Sequence, residues 1–191
     1  MAQPGRPRSE QARRAILAAA AKLVARNGYG ELTMEGIATE AGVSKQTIYR
    51  WWSTKAEVVL EAVNEGAAEM AAVPDSGSLA DDLRLFLRRT VDATTPVNRR
   101  LLASLMAAAQ LDDQFAKSFR TGFLASRRRE LRGMLARAQE RGEIAASVDL
   151  DQLVEVVYAL LWYRILVQHG PLDRRFGRQV ADSVLRLSRA A

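Results

Sequence analysis

The chain has 191 residues, 48% of them hydrophobic and 26% charged, with no cysteine and a single histidine. That is enough apolar material for one large or two small packed domains, and it excludes disulfides, thiolate metal sites and cysteine nucleophiles. The formal net charge is +6, and residues 1–55 carry 9 Lys and Arg against 4 Asp and Glu, a net +5, so the basic excess sits in the first third. A localised basic region is the expected footprint of a polyanion; a basic tail that only aids solubility is the competing reading. No apolar run is long enough to span a membrane, and the basic N-terminus lacks the apolar stretch of a signal peptide. A cytoplasmic protein without a membrane partner is the plain expectation.

The spacing of apolar residues is helical throughout, so the expected fold class is all-α. Residues 1–8 form a Pro, Gly and Arg arm, expected to be flexible. Ser9 is placed to cap a first helix, with Ile16, Leu17, Ala20, Leu23 and Val24 on one face and Gly28 at its end. Thr33 starts a short helix containing Met34, Ile37 and Ala38, which Gly42 breaks; Ser44 then caps a third. Val43 and Ile48 are spaced for a hydrophobic staple across that cap. A fourth helix is expected from Ser53 or Thr54 toward Ala72, and the "VPDSGS" stretch after it reads as a hinge or loop. Further helices are expected over 78–94, 96–109, 113–141, 149–168 and 173–188, the last two divided by "HGPLD".

The stretch "AGVSKQTIYRWW", Ala41 to Trp52, puts two of the chain's three tryptophans side by side after a Gly-bearing turn. Two short helices joined by such a turn and braced by a longer helix form a helix-turn-helix, whose second helix enters the DNA major groove. Val43, Ile48 and Trp52 are then expected inside. Ser44, Lys45, Gln46, Thr47, Tyr49 and Arg50 are expected toward the groove or its rims, and Trp51 at the rim. Lys and Gln hydrogen-bond base edges, and a Thr methyl touches a thymine methyl. Tyr49 and Trp51 reach the phosphate backbone, and Lys55 pairs with a phosphate. The alternative, in which both indoles pack inward and the polar run is a solvated face, stays open on composition alone.

"LTMEGIATEAGVSKQTIYRWWSTKAEVVLEAV", Leu32 to Val63, resembles the DNA-binding domain of the TetR family of bacterial transcriptional repressors. The matching positions are Thr33, Ile37, Ala38, Ala41, Gly42, Val43, Ser44, Thr47, Ile48, Tyr49 and Lys55, and "ARRAILAAAAKLVARNGYGELTM" resembles the family's first helix and its exit. Thr54 stands where the family has Ser or Asn, and Trp51 and Trp52 where His, Tyr or Phe are common. The resemblance implies about nine helices, a dimer, and a C-terminal domain that binds a small effector and changes the spacing of two DNA-binding heads. It also implies Thr33 among the DNA-contacting residues, and a division into an arm over 1–8, a head over 9–55 and a regulatory domain over 56–191. "LLWYRILVQHGPLD", Leu160 to Asp173, is similar to the end of the regulatory domain in one branch of the family. Within the arm, Gly5-Arg6-Pro7 resembles the core of AT-hook minor-groove binders, which implies Arg6 and Arg8 in an A·T-rich minor groove; an unstructured solubilising tail is the alternative.

The segment from Leu150 to Val167 is apolar nearly all round, so one side covers this chain's core and the other needs a partner. The expected dimer interface takes in Val157, Leu161, Arg164, Phe176, Val180, Val184 and Leu187, with a buried helix of a monomer as the alternative. Arg164 snorkels, pairs across the dimer or faces a ligand; His169 belongs at the surface. Phe86, Leu102, Met106, Gln110, Phe119, Phe123, Tyr158 and Trp162 are the candidate lining of an effector pocket, against a core-packing role for each. No phosphate loop, zinc-binding helix motif or Gly-x-Ser-x-Gly is present, and one histidine without cysteine removes most nucleophile–base pairs. The expectation is a regulator, not an enzyme, with no cofactor and no metal. A DNA-compacting protein would spread its basic charge, whereas residues 56–191 net only +1 from 19 Lys and Arg against 18 Asp and Glu.

Overall fold

The computed structural model describes residues 6–68 and 73–189, and every regular element among them is helical. In order they are α1 (Arg6–Asn27), α2 (Met34–Ala41), α3 (Lys45–Tyr49), α4 (Lys55–Ala68), α5 (Leu79–Ala93), α6 (Pro96–Ala109), α7 (Asp113–Phe119), a π-helical turn (Arg120–Leu124), α8 (Ala125–Glu140), α9 (Leu150–Val167) and α10 (Arg174–Leu187). Since α7, the π turn and α8 follow one another directly, the described residues form nine helical rods.

Side-chain caps set most of the starts. Thr33 Oγ1 accepts from the Gly36 N–H at 3.0 Å, Ser44 Oγ from the Thr47 N–H at 3.2 Å, and Asp112 Oδ1 from the Phe115 N–H at 2.9 Å. Asp173 does the same for α10, accepting from the Phe176 N–H at 2.8 Å. Each satisfies a first-turn donor that has no partner inside its helix. Gly42 follows α2 with φ of +66°, a left-handed conformation that glycine adopts without a Cβ clash, and so turns the chain into α3.

Two boundaries differ from the sequence reading. α1 begins at Arg6 rather than at a Ser9 cap, so the end of the expected arm is already helical. Pro7 suits a first turn, because its fixed φ is helical and its missing N–H is not needed there. Residues 1–5 of the arm lie outside the described residues, as do the side chains of Arg6 and Arg8. The single helix expected over 113–141 is interrupted by the π turn, which inserts a residue into the α-helical repeat.

The chain divides into two compact units. The first comprises Met1–Ala67 with Arg100–Phe123, and the second Ala68–Arg99 with Leu124–Ala191. In the first, Ile16, Ala20 and Val24 of α1, Ile37 of α2, Ile48 of α3 and Val58 and Val59 of α4 are buried, together with Leu105, Phe115 and Phe119. The Tyr29 N–H donates to Ser104 Oγ at 2.9 Å, tying the α1–α2 loop to α6. The boundary drawn at 55/56 from the sequence therefore cuts through this unit. In the second, α5, α8, α9 and α10 enclose a core of Leu83, Leu87, Leu131, Leu135, Val154, Val157, Leu161, Val180 and Val184.

Candidate nucleic-acid interface

α3 is five residues long, and its two sides are unlike. Ile48 is fully buried and Trp52 is 3% exposed, whereas Tyr49 is 51% and Trp51 40% exposed. The neighbouring indoles thus take the different environments expected of them, inside and rim, with ring centroids 6.0 Å apart. Lys45, Gln46 and Arg50 are exposed with Tyr49 and Trp51, and Thr47 is half-buried. Ser44 Oγ lies 2.9 Å from Thr47 Oγ1 besides capping the helix. The result is a short helix that turns one basic and aromatic surface outward. The hydroxyl hydrogen of Thr33, at the start of α2, remains available for a phosphate oxygen because the oxygen alone serves the cap.

Lys45 pairs with Glu35 of α2. The hydrogen bond from Lys45 holds the Glu35 carboxyl below its ordinary range, and the same bond raises the Lys45 ammonium. Both groups stand on the surface, so incoming DNA meets Lys45 already engaged by a carboxylate.

Lys55 requires a correction. Its ammonium donates to the carbonyls of Tyr29, Gly30 and Leu32 at 3.2, 3.2 and 2.9 Å, and it lies 4.8 Å from the centroid of the Tyr29 ring. An ammonium has three donors, and all three hold the α1–α2 loop. The assignment as a phosphate ligand gives way to a structural one: Lys55 adds a second hydrogen bond to the Tyr29 carbonyl, already held by the Leu32 N–H, and partners the Gly30 and Leu32 carbonyls at the start of α4. Tyr29 is itself buried, 4.4 Å from Phe115 between ring centroids, and burial with the nearby Asp112 charge pushes its phenol up to about 12.

Sequence reasoning passed over Glu61. It accepts from Arg13 of α1 and from the Trp52 indole N–H, at 2.9 and 2.6 Å. No local signal marks it, since its partners come from two other segments of the chain.

The second unit corrects the dimer assignment. Val157, Leu161, Phe176, Val180 and Val184 are buried in the unit's own core, so none of them faces outward. Arg164 donates to the Pro171 carbonyl at 2.9 Å and stacks 4.2 Å from the Phe176 ring, which makes it a brace for the α9–α10 loop. Leu187 is exposed as expected. The apolar side of α9 left uncovered is the opposite one: Leu160, Leu166, Tyr163 at 57% and Val167 at 53% exposure, with Val156 half-buried. His169 is exposed, 4.7 Å from the Tyr163 ring.

The candidate pocket residues are distributed over both units. Leu102, Met106, Gln110, Phe119 and Phe123 belong to the first, where Phe119 and Phe123 stack at 5.5 Å. Phe86, Tyr158 and Trp162 belong to the second, where Phe86 is part of the core and Trp162 is half-buried. Tyr158 donates to the Arg127 carbonyl at 2.8 Å, and burial pushes its phenol above the ordinary value. None of the eight lines the clefts by α1 and α2, by α5 and α10, or by α4 and α7. Among the described residues no group of three or more His, Cys, Asp or Glu is placed to hold a metal, and no helix is long and apolar enough to cross a membrane.

Residues 16–62 match the family model "Bacterial regulatory proteins, tetR family", and residues 73–184 match "Tetracyclin repressor-like, C-terminal domain". The HTH-type transcriptional regulator YdeS of Bacillus subtilis is 34% identical over 95% of this chain and 88% of its own length. The DNA-binding transcriptional repressor TetR of Mycobacteroides abscessus is 35% identical over 93% of this chain and 94% of its own. Among solved structures, the TetR family transcription regulator SCO0332 superposes with a TM-score of 0.76 at 31% identity, covering 92% of this chain and 97% of that one.

Proposed function

Because the chain belongs to the TetR family of bacterial transcriptional regulators, with a helix-turn-helix DNA-binding domain, we propose that it is a ligand-responsive repressor in the cytoplasm. It binds a near-palindromic operator as a homodimer and is released when a small, largely apolar effector enters its second unit. The observation that carries this reading is α3, buried through Ile48 and Trp52 while Lys45, Gln46, Tyr49, Arg50 and Trp51 stand together in solvent.

In this reading Lys45 and Gln46 read base edges, and the Thr47 methyl touches a thymine methyl. Tyr49, Arg50, Trp51 and the hydroxyls of Thr33 and Ser44 hold phosphates, which fix register without carrying sequence information. Arg6 and Arg8 follow the adjacent minor groove. Lys45 must exchange Glu35 for its base, so a matched site is rewarded and unmatched DNA meets a carboxylate beside the recognition helix.

A second copy is the partner that suits the uncovered side of α9, since Leu160, Tyr163 and Val167 recur at helical spacing and Leu187 of α10 is exposed as well. Two-fold protein symmetry then calls for two half-sites about one helical turn, roughly 34 Å, apart. Effector release requires tighter ligand binding to the conformation that does not hold DNA. A hundredfold loss of operator affinity needs about 2.7 kcal/mol of coupling, within the ordinary allosteric range. The M. abscessus relative, described as a repressor, favours repression over activation.

The test is selection of bound genomic fragments followed by footprinting. A discrete protected site with two-fold symmetry, weakening by orders of magnitude between about 50 and 200 mM salt, is expected. Diffuse coating without preferred fragments would refute the reading. Compounds that stabilise the protein in a thermal-shift screen are then added to the complex; stabilisers that leave operator affinity unchanged would remove the effector half of the proposal.

A further inference from the structure

Glu61 stands on α4, and its two carboxylate oxygens are bonded to different helices. Oε1 accepts from Arg13 Nε at 2.9 Å, and Arg13 Nη2 closes on the same oxygen. Oε2 accepts from the Trp52 Nε1–H at 2.6 Å. Arg13 also meets Glu65, and Glu10 at 3.1 Å, and its side chain is only 16% exposed. Burial alone lowers a guanidinium's pKa, but the hydrogen bonds and charges of Glu61 and Glu65 outweigh it and hold Arg13 above its ordinary value. The cation is therefore permanent, and it fixes the carboxylate that faces the indole.

α3 is too short to hold its own axis in water. Its far end continues directly into the two tryptophans, since the N–H groups of Trp51 and Trp52 both donate to the Ile48 carbonyl, at 2.9 and 3.0 Å. Trp52 is buried, and an indole has a single hydrogen-bond donor and no acceptor. That one donor is committed to Glu61. Movement of the indole relative to α4 is movement of α3.

We propose that Glu61 is a positioning residue for base reading: its carboxylate bolts the far end of α3, through the Trp52 indole, to the Arg13 guanidinium on α1, and so sets how deeply Lys45 and Gln46 enter the groove. This rests on the reading of α3 as the base-contacting helix. The role needs a carboxylate, because acceptors are required on both sides at once. A glutamine of the same shape has one acceptor and one donor and must abandon either the indole or the guanidinium. Phosphate contacts tolerate a small tilt of α3, whereas base-edge hydrogen bonds weaken steeply with angle.

The experiment compares the full-length protein with its Glu61→Gln variant on a fragment recovered by genomic selection with the parent, and on random DNA of equal length. Operator affinity is expected to fall about tenfold, the size of one lost hydrogen bond to a charged group, with random-DNA affinity held within about twofold. In the DNA-free protein the Trp52 indole N–H resonance shifts on substitution. Arg13→Gln added to Glu61→Gln costs little more than either alone, since both act through one network. Equal loss on both DNAs, unchanged operator affinity, or full additivity would each overturn the proposal. Should Glu61→Gln not fold, Arg13→Lys keeps the charge but loses the fork; a smaller loss confined to the operator supports the role, and an unchanged operator-to-random ratio rejects it. A parent with no preference for its recovered fragment refutes base reading by α3 and this role with it. A preference that survives Glu61→Gln refutes the role alone.

Discussion

Lys55→Met keeps an apolar stem at the start of α4 and deletes the ammonium. Three donor contacts disappear, to the Tyr29, Gly30 and Leu32 carbonyls at 3.2, 3.2 and 2.9 Å, together with the cation 4.8 Å from the Tyr29 ring centroid. The Tyr29 and Leu32 contacts are partly buried, so each is worth about 1 kcal/mol net, while the exposed Gly30 carbonyl regains water at little cost. The cation–π contact adds roughly 0.5 kcal/mol. The sum, about 2.5 kcal/mol, corresponds to a fall in Tm of roughly 5–10 °C for a chain of this length. Scanning calorimetry of the DNA-free protein measures it. The second readout is the slope of log affinity against log salt on operator DNA. A phosphate ligand contributes about 0.9 to that slope per head, so a lysine occupied by the loop leaves it unchanged on removal. An unchanged Tm with a slope reduced by about one per head would refute the structural assignment and return Lys55 to the phosphate backbone.

Leu160→Glu combined with Tyr163→Glu should give a folded monomer at micromolar concentration by light scattering, because both side chains are exposed on α9. Leu161→Glu, one position along, should instead unfold the second unit, since that side chain is in its core; a dimer that survives the exposed pair would reject the α9 face. Gly170→Ala should cost about 1–3 kcal/mol in denaturant midpoint, because an added Cβ would stand 2.6 Å from Arg164 Nη1 and displace the guanidinium from the Pro171 carbonyl. Arg164→Ala in the same chain should remove that penalty, and a Gly170→Ala protein as stable as its parent would show that the brace is not needed.

Features that depend on neighbours in the chain were legible in the sequence. The cap at Ser44 and the turn at Gly42 each need residues only a few positions away, and both were readable from spacing; the caps at Thr33 and Asp173 emerge only in the structure. The opposite fates of Trp51 and Trp52 came from the same helical period. The face of α9 that turns inward was not readable, because the helix is apolar nearly all round and the choice belongs to α8 and α10, which pack on one side of it. Lys55 was recognisable as a cation near the recognition helix, but the three carbonyls it holds lie more than twenty residues earlier in the chain. The Glu61 carboxylate between Arg13 and Trp52 was hidden chiefly for the same reason, since Arg13 lies 48 residues earlier, though Trp52 is only nine residues away. The π turn left no trace, since apolar spacing on either side of it is compatible with one straight helix.

The first unit is discontinuous: Arg100–Phe123 is as much a part of it as α1 to α4. A fragment ending after α4 would therefore lose Leu105, Phe115 and Phe119 from its interior and leave the Tyr29 N–H without Ser104. The DNA-reading head of this protein is not a cassette. A chimaera that grafts its specificity onto another regulatory domain has to carry the α6–α7 corner along with the helix-turn-helix.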